Sequence, residues 1–262
     1  MRHQNETVAF FAVDITPALM APDFCSGLAS TQPMAGMEYD VPIEVGVARL
    51  DHTITTIQFA NAYTNPVVFA GIPTHNGGHE GVVRIHEIRR TSFDLYFDEP
   101  ACLDETHATE TVSYMVVESG WWGTLQIGRL DTTSTTVETW HHVPYLGPLE
   151  GEVVVFSQVQ THGDNSWVKT RQRDVNECGW EVMLEEDGTD GHHGFETIGW
   201  MATTAGVGYA GGLLFEAVLT PDAVTHRPHA VTFTAGFTNA PGECSASGKT
   251  VARSCRPSAS QL

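Results

Sequence analysis

The sequence predicts an all-β protein, built of tandem antiparallel β-sandwich modules of about six strands each. Three observations support this class. Short segments rich in Val, Ile, Thr, Tyr and Phe are separated by joins rich in Gly, Pro, Asn and Asp, which is typical of strands and turns. No stretch shows helical periodicity over more than a couple of turns. The same order of segments also occurs twice, which indicates an internal repeat.

Within the first copy, the segments follow one another as short strands bounded by turn residues. In the segment at residues 92–97, the apolar residues Phe93, Leu95 and Phe97 alternate with Ser92, Asp94 and Tyr96. This period of two predicts one buried face. The predicted strands are residues 54–59 (ITTIQF), 66–72 (PVVFAGI), 82–88 (VVRIHEI), 92–97 (SFDLYF) and 111–117 (TVSYMVV).

The second copy repeats these segments in the same order and at nearly the same spacing. We therefore place one β-sandwich module at residues 39–124 and a second at residues 125–212. The matching segments are residues 47–57 with 127–137, 65–78 with 151–165, and 82–99 with 168–187.

Both ends of the chain carry parts of the same pattern. The phrase His-x-x-Glu-Thr, which closes each module, also occurs in residues 3–14, so residues 1–38 are predicted to hold the closing strand of a truncated preceding repeat and a linker. Residues 213–262 are predicted to open a truncated further repeat and to end in a polar tail. We expect a fragment of a longer array; strand exchange between chains is the alternative.

The charge of the chain limits its partners. Lys and Arg number 13 against 32 Asp and Glu, a formal net charge of −19, which disfavours nucleic acid and anionic membranes. No apolar run reaches the roughly 18 residues of a membrane span, so no membrane insertion is expected. The compartment stays open, with an extracellular location as one option.

Catalysis has little support in the sequence. The metalloprotease, nucleophile-elbow, phosphate-loop and dinucleotide-binding motifs are all missing from it. We therefore expect a protein that is not an enzyme and that needs no cofactor.

Four marks of each module resemble the H-type lectin domain, the small β-sandwich of snail agglutinins and of the discoidin C-terminal region. In the first module they are Phe59 shortly before a Pro-Val-Val strand, Arg84 nine residues before Phe93, an acidic loop, and a last strand of the type Val112-Ser113-Tyr114-x-Val116. The second module repeats them with Val153-Val154-Val155, Arg171, Trp180 and Ile198-Gly199-Trp200-x-Ala202.

This resemblance implies a sugar-binding sandwich, with N-acetylgalactosamine a common ligand and with sites between the subunits of a trimer. At the positions of the family's sugar-contacting Arg and His, this sequence has Glu80 and Ala101 in the first module, and Trp167 and Gly188 in the second. The resemblance therefore implies the fold more directly than the ligand.

Two loops rich in His, Asn and Gly are candidate sugar sites, because amide, imidazole and carboxylate groups bind hydroxyls and aromatic faces stack on sugar rings. As turn formers, the same residue types also need no ligand to explain them. The candidates are His75, Asn76 and His79 in residues 73–81, and His162, Asp164, Asn165 and Trp167 in residues 160–167.

Arg84 and Arg171 are further candidates, since a guanidinium can bind carboxylates or vicinal hydroxyls. The favoured alternative is an ion pair inside each module, with Glu110 and Glu196 as the partners. In His-x-x-Glu-Thr, residues three apart on a strand point to opposite faces, so His and Glu are not expected to meet. The Glu and Thr side chains are instead expected to bind backbone N–H groups that have no partner in a sheet.

The acidic loop at residues 185–196 is a weak candidate for calcium. It has the length of an EF-hand loop and ends in Glu, but Asp190 occupies the usual glycine position and no helices flank it. A solvated hairpin tip is the favoured interpretation, so no metal ligands are predicted.

The sequence thus predicts a non-catalytic carbohydrate-binding or adhesion protein whose partners are glycans or glycoproteins. The alternative is a structural protein that self-assembles into sheets or shells by strand addition at its ends. A homo-oligomer is compatible with either function.

Overall fold

The computed structural model describes residues 8–13, 37–100, 103–135, 139–164, 166, 168–186, 193–224, 229–238 and 241–245. All regular elements within these ranges are β-strands, which confirms the all-β class. Since these ranges contain no helix, they also contain none that is long and apolar enough to cross a membrane.

Eighteen strands follow one another in the described residues. The N-terminal pair and the first repeat comprise β1 (Ala9–Val13), β2 (Met37–Tyr39), β3 (Ile43–Leu50), β4 (Thr55–Gln58), β5 (Pro66–Ala70), β6 (Val82–His86), β7 (Ser92–Asp98) and β8 (Glu110–Glu118). The rest are β9 (Gly120–Trp122), β10 (Leu125–Thr132), β11 (His141–Pro144), β12 (Val153–Val159), β13 (Val168–Arg173), β14 (Gly179–Glu186), β15 (Glu196–Thr204), β16 (Gly206–Ala210), β17 (Leu213–Leu219) and β18 (Gly242–Ser245).

The two repeats have the same sheet topology. In the first repeat the sheets have the strand orders β3-β8-β5 and β4-β7-β6, and in the second β10-β15-β12 and β11-β14-β13. The second repeat has β9 as an extra edge strand beside β10. All pairs within these four sheets are antiparallel. Corresponding strands therefore occupy corresponding places, as the repeated sequence segments predict.

Each repeat has its own hydrophobic core, to which both of its sheets contribute. In the first repeat, Val68 and Val116 from one sheet join Phe93 and Leu95 from the other. In the second, Trp180 and Trp200 lie at the centre with their rings edge to face. Strand β7 differs from the prediction of one buried face, because Asp94 and Tyr96 on its second face are buried as well.

A third sheet joins the two ends of the chain. Its strand order is β18-β1-β17-β16-β2, so the N-terminal strand β1 lies between two C-terminal strands and pairs antiparallel with both. Strand β1 occupies the place that β8 and β15 have in the repeats, and β17 occupies that of β3 and β10. The segment predicted to close a preceding repeat thus pairs within this chain with the segment predicted to open a further one.

Three sheets surround one central core: β3-β8-β5, β12-β15-β10-β9 and the sheet that contains β1 and β17. Phe11 of β1 stacks on Phe215 of β17 and meets Phe156 of β12 edge to face. Contacts between the repeats follow a cycle: β5 contacts β10 and β15, β12 contacts β17 and β1, and β18 contacts β3 and β8. The described residues therefore form a ring of three similar units.

One side chain on the first strand of each repeat binds the loop beyond its second strand, and Glu216 of β17 binds a later segment through the same kind of hydrogen bonds. Glu44 accepts hydrogen bonds from the N–H groups of Ala60 and Asn61. Gln126 accepts from the N–H groups of Leu146 and Gly147, and Glu216 from those of Thr234 and Ala235. This shared feature identifies residues 213–238 as the start of a third unit.

The central core gives a direct test of the ring. Phe11 is fully buried there, whereas its neighbour Phe10 is half-buried on the other face of β1. We expect Phe11→Ala to lower the free energy of unfolding by about 3–5 kcal/mol, and Phe10→Ala by about half of that or less. Urea unfolding followed by fluorescence measures both, and an equal loss in the two variants would contradict the central core.

Candidate ligand-binding site

The loop after β5 is fastened by one buried carboxylate. Glu110, at the start of β8, is 1% exposed. It accepts hydrogen bonds from Thr74 Oγ1 at 2.5 Å and from the N–H groups of Asn76 and Gly77 at 2.7 and 2.8 Å. His107 Nε2 lies 3.2 Å from the same carboxylate. Burial alone would raise the pKa of Glu110, but these hydrogen bonds outweigh it and lower that pKa to about 2.

Glu196 is the counterpart of Glu110 in the second repeat, at the start of β15. It accepts hydrogen bonds from Thr161 Oγ1 and from the N–H group of Gly163, and His193 Nε2 lies 2.9 Å from it. The carboxylates thus bind loop donors as predicted for the Glu of His-x-x-Glu-Thr.

The prediction that His and Glu do not meet is wrong in both repeats. His107 and His193 precede their strands, which begin only at Glu110 and Glu196, so alternation along a strand does not apply to them. A second carboxylate lies at the other ring nitrogen of each histidine. Glu99 Oε1 is 2.6 Å from His107 Nδ1, and Glu186 Oε1 is 3.5 Å from His193 Nδ1.

Arg84 pairs most closely with a carboxylate of the other repeat. Its Nη2 donates to Glu196 Oε1 and to the carbonyl oxygen of Thr161, both at 3.2 Å. The predicted partner, Glu110, is therefore wrong, because the ring places β6 of the first repeat beside the loop of the second. Arg84 Nε lies 3.9 Å from Asp98 Oδ2. Burial raises the pKa of Asp98, and Arg84 opposes this shift.

Arg84 also has unused donors. The residue is 2% exposed, and its Nε and Nη1 atoms have no hydrogen-bond partner among the described residues. Arg171, its counterpart in the second repeat, is half-buried and pairs with Glu185 at 3.3 Å, so its predicted pair with Glu196 is also wrong. The two arginines correspond in sequence but differ in surroundings.

A cavity of about 640 Å³ lies beside Arg84, and we call it the inter-repeat cavity. Its size is in the usual range for ligand sites. The first repeat, the second repeat and the third sheet all contribute to its wall. Polar groups in the wall come from Thr74, His75, His79, Arg84 and Lys169, and apolar groups from Val8, Phe10, Phe97, Val159 and Val231, among others.

The structure brings only some of the predicted site residues to this cavity. His75, His79 and Arg84 line it. Asn76 is turned to its own loop, where Nδ2 donates to Thr74 Oγ1 and to the carbonyl oxygen of Thr109.

The second loop serves mainly as structure. His162 Nδ1 lies 3.0 Å from Tyr96 Oη, and Asp164 accepts hydrogen bonds from the N–H groups of Ser166 and Gly194. Asn165 and Trp167 lie outside the described residues, as do residues 187–192 of the acidic loop. Glu185 of that loop pairs with Lys169 as well as with Arg171.

The fold and the cavity define an all-β protein of three similar units with a pocket shared between them. No family model matches the chain, and no solved structure matches it. The chain is similar to halomucin of Haloquadratum walsbyi, with 30% identity in an alignment of length 188 that covers 62% of this chain and 2% of halomucin. The match thus spans a small part of a much longer protein.

The Glu110 carboxylate makes stability depend on pH. Its pKa is about 2 in the folded chain against 4.5 for an ordinary Glu, so its contribution is fully present above pH 4.5 and is lost as the pH falls towards 2. Glu110→Gln is expected to be clearly less stable than the unaltered chain at pH 6, and the difference should shrink between pH 4.5 and 2.

Urea unfolding midpoints at pH 6, 4.5, 3.5 and 2.5 measure this effect. The exposed Glu150 provides a control, because Glu150→Gln should shift the midpoint little at any of these pH values. A difference between Glu110→Gln and the unaltered chain that stays constant down to pH 2.5 would show that the ionised carboxylate does not stabilise the loop.

Proposed function

We propose that this chain is a non-catalytic carbohydrate-binding or adhesion module that acts outside the cell on glycans or glycoproteins. The observation that carries the proposal is the inter-repeat cavity, whose wall combines His75, His79 and the charged Arg84 with apolar side chains from three parts of the fold. Concave sites that are mainly apolar and carry placed polar groups are typical of small-ligand sites.

The wall of the cavity suits a sugar. Arg84 contributes a buried positive charge to the wall, while Thr74 and His75 add exposed polar groups from an adjoining loop. The half-buried Phe10 adds apolar surface against which the carbon face of a sugar ring can pack. The mixture of a few polar groups with apolar surface is typical of small-ligand sites.

The alternative, self-assembly by strand addition, has weaker support. It requires unpaired strands at the ends of the chain, but β1 is an interior strand with a partner on each side. A homo-oligomer that forms through other surfaces is compatible with the glycan-binding proposal.

A glycan array tests the proposed function, and matched histidines sharpen the test. His75 and His162 hold corresponding positions in the two loops and are both exposed, but only His75 lines the described part of the cavity. We expect the unaltered chain to bind a defined set of glycans. His75→Ala should weaken that binding about fivefold or more, since one hydrogen bond is worth roughly 1 kcal/mol, whereas His162→Ala should leave it unchanged.

Arg84→Lys is the second variant, since a lysine keeps the charge but loses the planar donor set. A circular dichroism spectrum and a melting curve confirm that this variant folds. Absence of any glycan signal from a multivalent preparation, or binding that survives both His75→Ala and Arg84→Lys, would overturn the proposal.

The charge of the chain leads to a separate prediction about salt. A formal net charge of −19 destabilises the compact state by self-repulsion, and salt screens that repulsion. We expect the melting temperature to rise by about 5 °C or more between 0.1 M and 2 M KCl, as measured by scanning calorimetry. A melting temperature that is flat or falls with KCl would show that self-repulsion is unimportant here.

A further inference from the structure

We propose that His79, Glu99 and Asp104 form a binding site for a divalent cation of the zinc type. His79 Nδ1 lies 3.2 Å from Glu99 Oε2 and 3.3 Å from Asp104 Oδ1, and the three atoms all lie within 4.8 Å of one another. Zinc binds His nitrogen and carboxylate oxygen at about 2.0–2.2 Å, so two ligands of a tetrahedral site are about 3.3 Å apart. Two of the three separations have this value.

A hydrogen bond from His79 cannot satisfy both Glu99 and Asp104 well. Nδ1 of an imidazole carries at most one proton, yet it faces two carboxylates at nearly equal distances. A cation at this point would instead accept one lone pair from each of the three groups. The two carboxylates would also balance the charge of a divalent ion, with a neutral imidazole as the third ligand.

Glu99 is held in the way that ligands of metal sites are held. Its side chain is fully buried, and Oε1 lies 2.6 Å from Nδ1 of the buried His107, whose Nε2 in turn lies 3.2 Å from Glu110. This chain fixes the carboxylate of Glu99 so that Oε2 faces His79 and Asp104. Outer contacts of this kind orient metal ligands and raise metal affinity.

The second repeat has the same buried Glu–His pair but no histidine at the position of His79. Glu186 and His193 correspond to Glu99 and His107, and Ser166 occupies the position of His79. Glu186 Oε2 is buried there without a hydrogen-bond partner among the described residues. In the described part of the chain, the first repeat therefore adds a histidine to the buried pair that the second repeat lacks, while the counterpart of Asp104 falls within residues 187–192, outside the described residues.

The ligand types select the metal. Calcium takes six to eight oxygen ligands and avoids imidazole, whereas zinc accepts three protein ligands of this mixed kind together with water. Since His79 also lines the inter-repeat cavity, the cation would join one wall of that cavity to Glu99 and Asp104. Cation binding is nevertheless independent of the proposed glycan binding.

Calorimetric titration of the EDTA-treated, full-length chain with zinc chloride, without glycan, tests the site. His79→Ala and Asp104→Asn are the test variants because both residues are exposed, whereas the buried Glu99 is needed to hold His107. His162→Ala is the control, because it removes another exposed histidine. With 13 histidines in the chain, the informative quantity is the difference between variants.

We expect the unaltered chain and His162→Ala to bind one more equivalent of zinc than His79→Ala at micromolar concentrations. Asp104→Asn should weaken this binding about tenfold or more. Cobalt should give visible absorption bands with the unaltered chain that are lost in His79→Ala. Calcium at the same concentrations should produce no heat. Zinc binding that is absent, or that is equally strong in His79→Ala and the control, would overturn the proposal, whatever the glycan array shows.

Discussion

The pairing of β1 with β17 and β18 is the constraint on which the rest of the structure depends. It supplies the third side of the central core, in which Phe11 meets side chains of two other sheets. Without this strand, the inward faces of β5 and β12 would lose part of their cover. The same strand contributes Val8 and Phe10 to the inter-repeat cavity. Strand β1 therefore both closes the ring and contributes to the wall of the proposed binding site.

Buried charge links the units once the ring is closed. Arg84 reaches from the first unit to Glu196 of the second, and Glu196 in turn holds the loop that contains Thr161 and Gly163. A carboxylate that accepts several hydrogen bonds can be buried at acceptable cost. Glu110 and Glu196 meet this condition and hold their loops, and Glu196 also neutralises the buried charge of Arg84.

The sequence predicts the all-β class and the order of the strands because those depend on local signals. Alternating apolar residues and turn formers act over a few positions, and the two copies reinforce each other. The sequence also predicts a closing strand within residues 3–14, of which the structure describes Ala9–Val13 as β1, but it does not predict the partner of this strand. The same limit applies to Arg84: the sequence predicts a partner inside the module, and only the ring brings Glu196 of the other repeat to it.

The sequence indicates the candidate site less completely than the fold for a related reason. Residue type alone marks His75, His79 and Arg84, whereas Glu99 and Lys169 carry no motif and become relevant only through the neighbours that folding gives them. His107 contacts Glu110 against the prediction because residues before a strand do not follow its alternation. The contact of His107 with Glu99 has no signal in the sequence, because it depends on how the loops fold.

The hydrogen bond from the N–H group of Val8 to Thr220 joins residues 212 positions apart. Contacts of such long range are slow to form, because the loop that they close is costly in entropy. The two repeats pair strands within their own segments and can form as each leaves the ribosome. The N-terminal strand, by contrast, has no partner until residues 213–245 have been synthesised. Its apolar residues thus lack these partners while residues 14–212 are synthesised, and the third sheet is expected to assemble after the two repeats.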